Sequence, residues 1–569
     1  MKRMRWQILI VILALAAIGV LLLDQQPTVL PQQVSQVQPV SGGSYIEALI
    51  GNFGRLNPVL DYYNQPDRDI DRLIYSSLIK FDDRGQPYGD LAESWAFSQD
   101  GTVYNFSIRP NAVWHDGKPV TSDDVIFTVD FLQNEGIPIP DELREYWSQV
   151  EVHKLDDRTL QFRLPEPYAP FLDHLTFGIL PKHLLEGLSP SELVNADFNL
   201  NPIGSGPFRF EELLSENGQI KGVVLSAFED YYGEKPFIDQ VGFRYFADTQ
   251  AALAAYQNGD VQGISQITPE VLSQALKIPN LNLYTGRLPE LTLVYFNLDN
   301  EATPFFQDAS IRRALLMGLN RQRMIDKLFN GQAMIADGPI FPGSWAYYEG
   351  NERIEYDPEK ALAVIKEAGY TIPANGEPVR EKDGVALSFE LVHPDTPQHT
   401  SLAEAIREDW AKLGVNVDLK PIPYQELIQD YLEPRNYQAA LVDLNMHRSP
   451  DPDPYPFWDQ AQISDGQNYA MWNDRQASEY LERARIINDV AERTKAYRNF
   501  QVRFTQDMPA LPLFYPVYSY AVDGQVQGVS MGPLFDLSDR LSTINSWYLV
   551  ARRPSITQPA DQPGLTPTP

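Results

Sequence analysis

The sequence predicts an α/β protein of two or more lobes, and three observations carry that prediction. At 569 residues the chain is about four times the ~150-residue length of a typical domain. A hydrophobic fraction of 43%, with 29 Tyr, 27 Phe and 9 Trp, is enough for a large core. Strand-like and helix-like patterns mix along the whole length, with no internal repeat.

Charge and cysteine content then exclude several function classes. Seventy-six acidic against 46 basic residues give a net charge of −30, the wrong sign for nucleic acid or for electrostatic docking on anionic lipid. The absence of cysteine removes disulfide frameworks, thiolate metal sites, cysteine nucleophiles and thioether-linked lipid. The seven histidines include no pair at the i, i+4 spacing of a helical metal site. Neither a metal site nor a cofactor is expected.

Taken in order, the chain opens with Lys2, Arg3 and Arg5, followed by an unbroken apolar run over 8–23. A basic flank before an apolar stretch directs a chain to export with its N-terminus inside. Residues 1–23 read as a signal peptide or a membrane anchor, and because the run ends on leucines rather than small residues the uncleaved anchor is favoured. Residues 24–41, rich in Pro and Gln, read as a flexible tether, and 551–569 as a disordered Pro/Thr tail. The folded region is expected over about 42–550 and outside the membrane.

Within it, Val103 to Arg109 alternates as a strand, preceded by the turn Gln99-Asp100-Gly101. Thr121 can cap a helix carrying Val125, Val129 and Leu132, with Asp123 and Asp124 at its positive end. Asp157 to Leu164 alternates again. Two consecutive helices are expected over 310–318 and 320–331. A further helix begins at Pro358 behind an Asp357 cap and stops at Gly369. A last one is expected over 406–413, before a strand from Val415 to Leu419.

Enzyme signatures fail. There is no phosphate-binding loop, dinucleotide fingerprint, zinc-protease helix or nucleophile elbow. Gly204-Ser205-Gly206 lacks the elbow spacing and reads as a tight turn into the strand at Phe208. Asp451-Pro452-Asp453-Pro454 lacks the Gly and terminal Glu of a calcium loop, and its prolines impose an extended segment. No catalytic residue is expected. An anchored extracellular hydrolase using a carboxylate pair remains an alternative, because acidic pairs are abundant.

Several motifs occur in a fixed order. They are Leu91-Ala92-Glu93-Ser94-Trp95, Trp114-His115-Asp116-Gly117-Lys118-Pro119, Leu180-Pro181-Lys182-His183, Ile203-Gly204-Ser205-Gly206-Pro207-Phe208, Tyr231-Tyr232-Gly233, Asn258-Gly259-Asp260, and Phe296-Asn297 ahead of Ile311-Arg312-Arg313-Ala314. Together they resemble the extracellular solute-binding proteins of ABC importers, family 5, the dipeptide, oligopeptide and nickel class.

That resemblance implies a two-lobed clamshell with an extra subdomain inserted in the first lobe. Lobe I would comprise 42–75, 205–285 and 510–550, the inserted subdomain 76–204, and lobe II 286–509. The chain would cross between lobes near Leu291 to Asn297 and near Leu511 to Pro516, forming a two-strand hinge. The resemblance also implies a peptide or similar small solute held between the lobes and delivered to ABC permease subunits driven by a separate ATPase. It implies an extracytoplasmic receptor tethered through its N-terminal segment, and a monomer. A ligand sensor without transport is the other alternative.

Peptide-binding members use an acidic residue before Pro-Asp-Pro for the ligand's amino terminus. Here Arg448 stands at that place, which weakens an amine partner and favours a ligand carboxylate or phosphate. Candidate ligand-binding residues are Tyr63, Asn64, Asn297, Trp345, Arg448, Asp451, Trp458 and Asn468, with the aromatics stacking on or enclosing the solute.

Overall fold

A computed structural model describes residues 41–446 and 448–550. The expected anchor, the tether up to residue 40, the tail and His447 lie outside the described residues. Among the described residues, no helix is long and apolar enough to cross a membrane.

The strands that position the site are, in chain order, β1 (Ser44–Ile50), β2 (Ala92–Phe97), β3 (Val103–Ile108), β4 (Glu151–Lys154), β5 (Thr159–Arg163), β6 (Phe208–Glu216), β7 (Gln219–Ala227) and β8 (Gln240–Phe246). They continue with β9 (Gly263–Ile264), β10 (Leu281–Arg287), β11 (Glu290–Phe296), β12 (Ala333–Ile335), β13 (Ser388–Pro394), β14 (Asn416–Ile422), β15 (Ala439–Asn445) and β16 (Ala510–Asp523). One large mixed sheet runs β14-β13-β15-β11-β16-β9-β1-β8-β7-β6, with β10 and β12 also paired to β16. A separate antiparallel sheet, β2-β3-β5-β4, carries the first strand pattern read from the sequence.

β16 joins the two ends of the large sheet. Its first residues pair with β11 and β12, and its last seven pair with β10 and, at Ala521 and Val522, with β9. β11 is buried on both faces, so it reads as a continuous apolar run instead of alternating. Val294 and Phe296 join the core under one face, and Leu293 and Tyr295 the core under the other.

Helix starts follow the cap chemistry. The helix at Ser122–Leu132 begins where Asp124 reaches back to accept from the Thr121 N–H at 2.8 Å and its hydroxyl at 3.0 Å. Asp357 caps the helix at Pro358–Glu367, which runs out at Gly369 with φ of 96°. The helix expected from residue 406 starts earlier, at Pro397–Ala411. Thr396 caps it and Pro397 takes the first turn, although the polar residues 397–401 carry no apolar period. That helix is the crossover between the parallel strands β13 and β14.

Helix α1 (Gln65–Ile74) separates core from cavity. Ile70, Leu73 and Ile74 pack into the core, whereas Arg68, Asp71 and Arg72 share another face. The Gly204-Ser205-Gly206 turn abuts its end: a Cβ on Gly204 would lie 1.9 Å from the Ile74 carbonyl oxygen, so only glycine fits. Ser205 is fully buried there.

Asp69 of α1 points inward to a buried ion cluster. The Arg540 guanidinium, 1% exposed, lies 2.7 Å from both Glu47 and Asp69. Glu47 also accepts from the hydroxyls of Tyr45 at 2.7 Å and Tyr520 at 2.6 Å. The cluster thereby ties β1, α1, β16 and the C-terminal turn together. Arg540→Ala strands two buried carboxylates and is expected to cost ~3–5 kcal/mol in urea unfolding. Replacing Glu47, Asp69 and Arg540 together by apolar side chains of similar volume should cost much less, because no charge is left unpaired; equal losses would contradict this account.

Candidate functional site

A cavity of about 1200 Å³ opens between four stretches of chain: 58–81 with α1, 132–178, 433–485 and 535–539.

The first wall is α1. Arg68 sits 3.0 Å from Asp536, and Arg72 2.5 Å from Asp539, so two of its cations are held by the turn at Leu537–Leu541. Burial alone would raise the Asp536 carboxyl. Arg68, the Ser538 amide and Arg448 outweigh it and hold that carboxyl well below the usual range. Asp61 and Asp71 line the same wall, without a cationic contact at ion-pair distance among the described residues.

The second wall is aromatic. Tyr146, Trp147, Tyr168, His174 and Phe177 line it, and the Tyr146 and His174 rings stack with centroids 4.4 Å apart. Burial drives the His174 pKa down to about 4, Asp453 opposing and Arg485 reinforcing, so this ring is neutral near pH 7.

The third wall is the loop holding Arg448 and the Asp-Pro-Asp-Pro segment. Arg448 adopts φ of 75°, in the left-handed region, with its amide donating to the Phe535 carbonyl at 2.6 Å. Its guanidinium donates to the Tyr62 carbonyl, lies 3.6 Å from the Tyr62 ring centroid and 3.8 Å from Asp536. Both carboxylates of the segment are ion-paired to the helices behind it. Asp451 pairs with Arg493, and Asp453 with Arg485 at 2.8 Å.

Two of the eight residues named from sequence thus belong to this loop. Arg448 lines the cavity, and Asp451 stands behind it, also accepting from the Tyr497 hydroxyl at 3.0 Å. Tyr63 is 72% exposed and is not among the residues that line the cavity, whereas its neighbour Tyr62 is. Asn64 caps α1. Asn297 spends its amide on the carbonyls of Arg435 and Tyr437 at 2.9 and 3.1 Å. Trp345 packs on Tyr497 and Arg493. Trp458 is buried against Tyr295 and Phe504, and Asn468 bridges the carbonyls of Asp459 and Trp472. Those last four support the walls from behind. Asp61, Arg68, Asp71, Tyr146 and His174 were missed; the polar stripe at 68, 71 and 72 of α1 was the readable signal.

A model of the bacterial extracellular solute-binding proteins, family 5, matches residues 86–467. The chain belongs to that family. It has the family's two-lobed α/β fold, and its relatives are solute-binding proteins. It is similar to the oligopeptide-binding protein AppA of Bacillus subtilis, whose structure was solved with a nonapeptide. That likeness has a TM-score of 0.67 at 28% identity and covers 90% of this chain and 100% of that one. It is 27% identical to the dipeptide-binding protein of Escherichia coli strain K12 over 489 residues, 81% of this chain and 87% of that protein. NikZ of Campylobacter jejuni, solved with Ni(L-His), superposes with a TM-score of 0.66 at 26% identity over 89% of this chain and 99% of that one.

One contact across the cavity rim is sensitive to pH. Asp173, on the stretch after Tyr168, accepts from the Ser449 hydroxyl at 2.5 Å and the Asp451 amide at 2.8 Å. Burial, and then the nearby Asp451 carboxylate, push its pKa up to about 8. A carboxyl with a raised pKa stabilises the folded contact fully below its unfolded value. That contribution is lost as pH rises from about 4 through about 8. Melting temperature should therefore fall over that window in the wild type relative to Asp173→Asn, which keeps a neutral acceptor. Parallel pH profiles of the two proteins would refute the assignment.

Proposed function

We propose that this chain is the substrate-binding component of an ABC importer, capturing a peptide in the cavity and offering the filled, closed form to a membrane permease. The observation that carries the reading is the cavity itself. Its volume of about 1200 Å³ exceeds the ~300–1000 Å³ of pockets for drug-sized ligands, as a solute of several residues requires. Lobe I comprises 42–75, 205–285 and 510–550, the inserted subdomain 76–204 and lobe II 286–509, so every lobe contributes a wall. The pairing of β11 with β16 provides the hinge. Closure excludes water and strengthens the polar contacts inside, and the ligand shifts the population only by its preference for the closed form.

The N-terminal segment tethers the receptor on the outer face of the membrane, where it raises the effective concentration at the permease. The receptor acts as a monomer. No relative named above favours the hydrolase or sensor alternatives, each being named as a binding protein or solved with a bound ligand.

Mass spectrometry of solute released by denaturing the purified protein should recover a mixture of short peptides. Recovery of a sugar or a metal chelate in their place would overturn the peptide assignment. Calorimetric titration with the recovered peptides should show a negative heat-capacity change, as the aromatic wall and the ligand bury apolar surface together.

A further inference from the structure

Among the described residues, the cavity is lined by more acidic side chains than cationic ones. Six cationic side chains line it among the described residues, and each is already committed. Arg68, Arg72 and Lys80 face Asp536, Asp539 and Asp90 at 3.0, 2.5 and 3.0 Å. Arg485 holds Asp453 at 2.8 Å, Arg448 holds the Tyr62 carbonyl, and Arg435 donates to the carbonyls of Ile463 and Gly466. The carboxylates left over have no cation of their own.

Asp71 is the one that demands an explanation. It is 2% exposed, lines the cavity, and among the described residues no donor meets either of its carboxylate oxygens with hydrogen-bond geometry. A buried carboxylate of this kind costs stability unless something supplies a donor. Asp61, 8% exposed on the same wall, is its neighbour in charge. Arg68 is the nearby cation, but its terminal nitrogens donate to the carbonyls of Asp61 and Tyr62 and to the Gln65 side chain.

We propose that Asp71, with Asp61, forms a subsite for a positively charged group of the ligand, an ammonium or a guanidinium, so that this receptor selects cationic peptides. The inference rests on the peptide reading and deepens it. The cation replaces the missing donors and converts the least favourable spot of the empty cavity into a charge-assisted contact. Titration supports the same geometry. Burial, then the charges of Asp61 and Asp67, push the Asp71 carboxyl well up; the Asn57 backbone amide and the charge of Arg68 offset part of this. Burial likewise raises Asp61 to about 7, Asp536 and Asp67 adding to it against Arg68 and Arg448. An arriving cation therefore expels protons from the pair.

The test uses Ala-Ala-Lys-Ala-Ala and its Lys→Gln analogue, each with a free and an acetylated N-terminus, against the wild type and Asp71→Asn. The two chemical modifications separate a side-chain cation from the α-ammonium as the group bound. In the wild type, removing the bound cation should weaken binding about tenfold to a hundredfold. Asp71→Asn should erase that preference. Titration in two buffers of different ionisation enthalpy should show proton release with the cationic peptide in the wild type and less in the variant. Asp71→Asn replaces a carboxyl whose charged form burial already disfavours, so its melting temperature without ligand should stay close to the wild type's. Equal affinity of all peptides for the wild type, or a preference that survives Asp71→Asn, would overturn the subsite while leaving the peptide reading standing. Failure of every peptide to bind would overturn both.

Discussion

A single strand sets the geometry on which everything else depends. β16 is bonded along its first residues to β11 and β12 and along its last to β9 and β10, so both ends of the large sheet share one backbone. Central strands rarely hold proline, which cannot donate to the ladder. β16 holds Pro512 and Pro516. The register against β11 slips between Thr292 and Leu293, opposite Phe514 and Pro512, and the partner changes just after Pro516. The ladder is therefore weakest where it passes from one set of partners to the other. The shared strand is continuous but has one place to bend, which is the mechanical requirement for two lobes that move while staying joined.

Charge on α1 is divided by the same helical geometry. Asp69 turns inward to Arg540 and Glu47, while Arg68, Asp71 and Arg72 turn to the cavity. The inward cluster is closed: every charge meets an opposite one, and two tyrosine hydroxyls take the remaining acceptor sites. The cavity-facing set is open, with its cations spent on the 535–539 turn and no donor meeting the Asp71 oxygens with hydrogen-bond geometry among the described residues. A closed buried cluster specifies structure, whereas an open one is stable only when something else completes it. The two faces of one ten-residue helix thus serve opposite purposes.

This contrast also explains what could be read from the sequence. Local chemistry was legible: the Asp357 cap with Pro358, the Thr121–Asp124 box and the alternation from Val103 are rules about neighbours within four residues. The ordered motifs gave the family, since they span most of the fold. The binding walls were not legible, because they are made by pairs such as Arg68 with Asp536 and Arg448 with Tyr62, which hundreds of residues separate. Aromatic and amide residues chosen for their chemistry turned out to be anchors instead. Trp458 and Asn468 are buried behind the wall, and a one-residue shift in a loop without periodicity puts Tyr62, not Tyr63, on the cavity.

The net charge of −30 acquires a second meaning from the cavity. Spread over the surface it confers solubility and selects nothing. Gathered around a cavity whose cations are each engaged by a carboxylate or a carbonyl, acidic side chains favour an incoming cation where water screens charge poorly. Cationic solutes are then drawn in by the long-range field and held by the short-range carboxylates. Neutral solutes must bind against an unrelieved Asp71. In the empty receptor burial disfavours the charged form of Asp71, and that form becomes favourable only when a ligand brings the opposite charge. Closure around a cation and closure around a neutral solute are therefore energetically different events, and the difference originates in one side chain on the cavity face of α1.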